Sequence, residues 1–196
     1  MSGPSHHGRA ILGVEALEER ATPATIAALT TTQDLVTFDS ATPGVIAIKA
    51  HITGLRAFDA IIGIDVRPAT GELYGVGRIG GIYTIDAYTG VAKLKTTLVA
   101  DVGDTTAKFV RLQGTSFGVD FNPVVDRLRI VSDFDNNYRV NVDTGATFTD
   151  TKLAFAAGDV NVNRNPYVTG SAYENPDNNP ATGTTLRNID AIADAL

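Results

Sequence analysis

The chain has no cysteine, no tryptophan, one methionine and three histidines in 196 residues. Lacking cysteine, it has no disulfide framework, no thiolate nucleophile and no sulfur-bound metal. His6 and His7 fall in a small, polar, glycine-containing lead, Met1–Gly8, and His51 stands alone on the alternating segment Ile48–Thr53. No second histidine can join His51 in a zinc site, and it is the one imidazole left to serve as a base for serine hydrolysis. Gly114-Thr115-Ser116-Phe117-Gly118 is not a nucleophile elbow, because no strand-to-helix turn is expected there. Gly75-Val76-Gly77-Arg78-Ile79-Gly80 lacks the following helix that a dinucleotide fingerprint requires, and reads as a hairpin. Basic residues are also in deficit. Sixteen against 22 acidic residues give a net charge of −6, with no basic patch, which disfavours nucleic acid and anionic membranes as partners. No apolar run reaches the length of a membrane span, so membrane insertion is not expected.

What the chain does have is hydrophobic content, 43% against 19% charged, enough for one domain or a few small repeats around a shared core. Internal similarity is the main signal. LVTFDSATPG (Leu35–Gly44), IYTIDAYTG (Ile82–Gly90), YRVNVDTG (Tyr138–Gly145) and LRNIDAIAD (Leu186–Asp194) line up on Asp39, Asp86, Asp143 and Asp190, spaced 47, 57 and 47 residues apart. A second pattern precedes two of these. IGIDVRPATGELYGV (Ile62–Val76) and FGVDFNPVVDRLRIV (Phe117–Val131) are offset by 55 residues, matching Gly63 to Gly118, Asp65 to Asp120, Pro68 to Pro123 and Leu73 to Leu128.

Each unit reads as strand, turn, strand, turn, strand. Ile62, Ile64 and Val66 alternate with small or polar residues, the period of a half-buried strand. Pro68 ends it, having no N–H for the ladder and restricting Arg67 before it. Thr70-Gly71 turns the chain into Leu73–Val76, and Arg78–Gly81 turns it again into Ile82–Ile85. Asp86 then accepts its own downstream amides in a tight turn closed by Gly90, and Val91–Val99 offers a further strand. The later unit repeats this plan with a polar hairpin tip, Asp133–Asn137. Ala100–Val110 and Lys152–Ala157 are the only helix candidates after residue 25, and both are short or β-branched. The fold expected is all-β, a β-propeller-like array of short antiparallel sheets. Four units fit in residues 25–196, with the first and last incomplete, so the array is expected to be incomplete or open.

Two carboxylates and one polar hairpin are the candidates for chemistry. Asp65 and Asp120 recur at one place in the repeat, followed two residues later by Arg67 and Asn122. They converge on a cation or polar ligand near the axis, or they accept backbone N–H groups and hold each blade's geometry. Asp133, Asp135 and Asn137 have the spacing of the first oxygens of a calcium loop, and calcium is the candidate cation. The loop pattern then fails, with Tyr138 where glycine is needed and Thr144 where glutamate is needed, and the other reading of these residues is a plain solvated turn. All eleven asparagines lie after residue 121, where Asn175, Asp177, Asn178 and Asn179 form a loop broken by Pro176 and Pro180. The loops of that half form either a wet, anionic binding face or ordinary solvated connections.

Two resemblances extend this reading. VEALEERATPA (Val14–Ala24) resembles a short N-terminal motif found ahead of many secreted or surface proteins of planctomycete bacteria. It implies that residues 1–24 are an export-associated leader, with room for a short helix ended by Pro23, and that the folded domain is 25–196. Gly54–Val76, Ile82–Gly90 and Leu112–Gly145 resemble an uncharacterised family of secreted bacterial proteins, domain of unknown function 4394, over about Ala27–Leu196. Thr185–Leu196 resembles a mid-domain strand of that family, whose members generally continue with further repeats. The family brings no established activity.

The function expected is an extracellular or cell-surface module without a catalytic set, binding a protein or carbohydrate and able to self-associate through open blade faces. One alternative is a metal-dependent hydrolase of the propeller type using Asp65 and Asp120. Another is a truncated propeller without independent function.

Overall fold

The computed structural model describes residues 23–177 and 179–193. The expected leader lies outside the described residues except for Pro23 and Ala24. The remainder is all-β, with no helix among the described residues. The two helix candidates are irregular instead. In the first, Asp104 turns back to accept the N–H groups of Thr106 and Ala107, which bends the backbone away from a helical ladder.

Four sheets follow one another along the chain. The first contains β1 (Thr25–Leu29), β2 (Asp34–Asp39) and β3 (Ile46–His51). The second is a four-stranded meander of β4 (Ile61–Val66), β5 (Leu73–Gly77), β6 (Gly81–Ile85) and β7 (Ala92–Thr97). The short strand β8 (Val99–Ala100) links it to the third sheet. That sheet holds β9 (Phe117–Asn122), β10 (Arg127–Ser132), β11 (Asn137–Val140) and β12 (Ala146–Thr149), with β8 added in parallel on β12. The fourth is the pair β13 (Val168–Tyr173) and β14 (Leu186–Asp190). None of these sheets closes into a barrel. The chain is an open, propeller-like array in which the first strands of successive blades, β4, β9 and β13, pack side by side.

The core lies between blades. Leu35, Ile52, Ile61, Leu73, Tyr83 and Ile85 fill the seam of the first and second sheets. Tyr74, Val76, Ile82, Phe121, Leu128 and Ile130 fill the seam of the second and third, with Tyr74 and Phe121 edge to face at 5.4 Å. Every residue of β5 is buried, because its two faces serve two different seams. That double burial explains why LYGVG does not alternate.

The repeat alignment needs one correction. Asp86 closes its turn by accepting the amides of Tyr88 and Thr89, while Gly90 (φ 71°) donates to its carbonyl. In the third sheet the same place is held by Asn141, whose side chain accepts the amide of Asp143 and whose carbonyl accepts Gly145 (φ 78°). Asp143, the residue matched from sequence, lies two positions further on. Asp190 caps the amides of Ile192 and Ala193 in the same manner, but it ends the second strand of its sheet, not the third. An Asx turn suits any strand end, so the residue type alone does not say which strand it ends.

Candidate functional site at the inner strands

The two inner carboxylates are brought together. Asp65 on β4 accepts the N–H of Phe121 on β9 at 2.7 Å, and Asp120 on β9 accepts the N–H of Tyr173 on β13 at 2.6 Å. Each inner strand thus holds the next by one charge-assisted bond to its backbone. The glycines two residues earlier make this possible. A Cβ on Gly63 would lie 2.4 Å from the Val119 side chain, and one on Gly118 would lie 2.6 Å from the Ser171 amide nitrogen. Gly-x-Asp is therefore a device for close approach followed by a hydrogen bond.

Asp65 and Asp120 also act on each other's ionisation. Burial raises the pKa of both. Asp120 is pushed up to about 7, by burial first and then by its carboxyl neighbour, against the opposing pull of the Tyr173 amide. Such a pair loses its protons in two steps.

Arg67, which follows Asp65 by two residues, is only 8% exposed and is the hub of a clamp between the second and third sheets. Its Nε donates to Asp126 at 2.8 Å, and its Nη2 donates to Asp143 at 3.0 Å and to the second Asp126 oxygen. Lys95 also reaches Asp143, at 3.3 Å. Asn122, the counterpart following Asp120, instead caps the amides of Val124 and Val125. In the third sheet Arg129 takes over the bridging role, donating to Asp150, Asn137 and the Tyr173 hydroxyl. These clamps were not picked out from sequence. Arg67 had a signal, its fixed offset from Asp65, but its partners lie 59 and 76 residues away.

The polar hairpin disperses its candidates. Asp133 accepts the amide and hydroxyl of Thr115. Burial pushes its pKa up, but those bonds outweigh it and leave the carboxyl below the usual range. Asp135 holds the turn at φ 59°. Asn137 accepts from Arg129 at 2.6 Å and donates to the Thr151 carbonyl at 2.9 Å. Asp133 and Asn137 are thus engaged with separate protein partners. No group of three or more acidic or histidine side chains among the described residues is arranged to hold a metal ion. The asparagine-rich loop also folds on itself: Asp177 accepts from Asn179 and Thr182, and Asn175 donates to Gly183.

A cleft of about 480 Å³ opens beside the fourth sheet, within the size range of small-ligand sites. The connection after β12 supplies Leu153, Phe155 and Asp159, and β14 supplies Arg187 and Asn188. Its wall combines an aromatic ring with hydrogen-bonding side chains, and sequence reasoning had not placed these segments together.

No curated protein matches the chain. The model of the family described as a domain of unknown function, DUF4394, matches residues 34–196, from β2 to beyond β14. The Gly-x-Asp inner strands and the blades they join are thus the framework of a member of the DUF4394 family, to which this chain belongs.

Proposed function

We propose that the chain is an extracellular or cell-surface binding module whose ligand is a protein or a carbohydrate. The observation that carries this reading is the employment of Asp65 and Asp120, the carboxylates that recur in the repeat: each is engaged with the backbone of the next blade. Invested there, they build a scaffold. The cleft at Phe155, Arg187 and Asn188 is the place for the ligand, since a ring for stacking beside amide and guanidinium donors suits a sugar or a peptide. The motif Val14–Ala24 supports export. The surface for self-association is formed by Ile189 on β14 and Ile192 in the turn after it, each more than half exposed.

The test is titration of the full chain against a glycan array and a library of surface-protein fragments, with Phe155→Ala and Arg187→Ala in parallel. A ligand should emerge whose binding falls at least about tenfold in either variant, as loss of a stacked ring or a charged hydrogen bond would produce. A ligand indifferent to both changes sinks the cleft assignment. Recovery of the protein only from the cytosolic fraction of its host sinks the extracellular one.

A second reading rests on the carboxyl pair itself. Two adjacent carboxyls, one pushed up to about 7, are the raw material of an acid–base pair or a divalent-cation site in a metal-dependent hydrolase. That reading requires millimolar Ca²⁺ or Mg²⁺ to raise the melting temperature, and Asp120→Asn to abolish both the rise and any hydrolysis.

A further inference from the structure

The connection from β8 to β9, residues 101–116, has no regular structure, yet it is pinned to the third sheet at two places. Near its start, the buried Asp104 accepts the amides of Thr106 and Ala107 and, from β12, that of Thr149. Near its end, the side-chain amide of Asn136 donates to the Gln113 carbonyl at 2.7 Å. Between the pins Phe109 packs edge to face on Tyr138, with ring centroids 5.2 Å apart. The segment is a strap laid beside the β10–β11 hairpin.

A cleft of about 520 Å³ opens between this strap and Asn136, Tyr138 and Thr149 of the sheet. The chain has 22 acidic residues against 16 basic, but the wall of this cleft holds two cations, Lys108 and Arg111, and no carboxylate. Both cations are exposed, and among the described residues neither is paired with a carboxylate. Two of the other polar groups are occupied. The Tyr138 hydroxyl donates to Asn136 at 2.7 Å, and the Asn136 amide donates to Gln113 and Ser132. Thr149 is the exception. Its hydroxyl is buried and has no hydrogen-bond partner among the described residues. A buried hydroxyl left unpaired is costly, and an acceptor entering the cleft removes that cost.

We propose that this cleft binds a small organic molecule bearing a carboxylate. The donors set the charge of the ligand: Arg111 offers a planar fork that matches a carboxylate, and Lys108 adds a point charge. The Thr149 hydroxyl supplies a neutral donor deeper in the wall. The apolar part of the wall, Ala107, Phe109 and Val110, sets the body of the ligand, because carbon surface there needs carbon surface against it. A bare inorganic anion meets the first requirement and not the second. A sugar acid and a free aliphatic acid meet both. The cleft shares no wall residue with the one at Phe155, so this inference and the proposed function fail independently.

The test is calorimetric titration of the full chain with glucuronate and with succinate, beside glucose as the uncharged control and inorganic phosphate as the carbon-free one. Saturable one-to-one binding of at least one acid is expected, and which of them binds separates a sugar acid from a free organic acid. Arg111→Gln should weaken it about tenfold or more, and the exposed position leaves the fold intact. Thr149→Val keeps the side-chain shape and the backbone amide that Asp104 accepts. It should weaken binding about threefold or more while the melting temperature holds or rises, since an unpaired hydroxyl has been removed. A purely structural role for Thr149 would lower the melt and spare the binding. Failure of both acids to bind overturns the proposal. So does equal affinity for glucose or for phosphate, and so does parental affinity in Arg111→Gln.

Discussion

The second and third blades and the fourth are made of similar strands, yet they differ in what covers them. β5 and β10 lie between two seams, and Val76, Leu128 and Ile130 are fully buried. β14 is the counterpart of those strands, since Leu186 pairs with Tyr173 as Leu128 pairs with Phe121, but up to its buried last residue, Asp190, it alternates between half-buried and exposed residues. The lesson is that a blade's stability here belongs to its neighbours. A strand sandwiched on both faces is core, and the same design with one face open is surface.

The comparison can be broken most directly in the core. Leu128→Ala should cost about 2–5 kcal/mol in urea unfolding, whereas Leu186→Ala in the equivalent place should cost about 1 kcal/mol or less. Equal costs would show that the fourth blade is as well supported as the third. The ion pairs make a second contrast. Arg67→Ala leaves Asp126 and Asp143 without their buried guanidinium and should cost about 2 kcal/mol after allowance for the partial exposure of both carboxylates. Arg187→Ala, in a pair with Glu174 that is about half exposed on both sides, should change stability by about 0.5 kcal/mol or less. Inner-strand contact can be sharpened by adding one methyl. Gly118→Ala meets the Ser171 backbone nitrogen and Gly63→Ala meets the Cγ2 and Cβ of the buried, β-branched Val119, so each should cost about 1–3 kcal/mol.

The smallest effect expected is that of pH, and it has opposite signs in two places. Asp104 accepts the amides of Thr149, Thr106 and Ala107, and these bonds hold its pKa down to about 2. Its contribution is present above the ordinary carboxylate range near pH 4 and is lost as pH falls through that range toward 2. The Asp65–Asp120 pair is raised. Its folded form binds the extra proton, so its contribution is greatest below pH 4 and declines as pH rises from there to about 7. Asp120→Asn should lessen the decline, since Asp65 keeps its own burial-driven rise, and gain on the parent above pH 7, while Asp104→Asn should remove the acid-side loss. Melting temperature measured from pH 3 to 8 checks both, and an unchanged slope in either variant refutes its assignment.

The arrangement of the strands was largely legible in the sequence, because alternation, proline stops and Gly turns are local. The role of the inner carboxylates was half legible. Recurrence marked Asp65 and Asp120 as special, but their acceptance of Phe121 and Tyr173 amides depends on strands more than 50 residues away. Asp143 shows the limit clearly. Its neighbours in sequence suggested a turn residue, and its actual partners, Arg67 and Lys95, come from another blade.

The sequence by itself determined that this chain is all-β, repeated and acidic, with no cysteine chemistry, because composition and period-two patterning act over a few residues at a time. Tertiary structure alone decided which strands are buried on both faces, which carboxylates meet, and which strand edges are covered. Those outcomes depend on how one blade packs on the next, and burial, charge pairing and edge exposure are properties of neighbours in space.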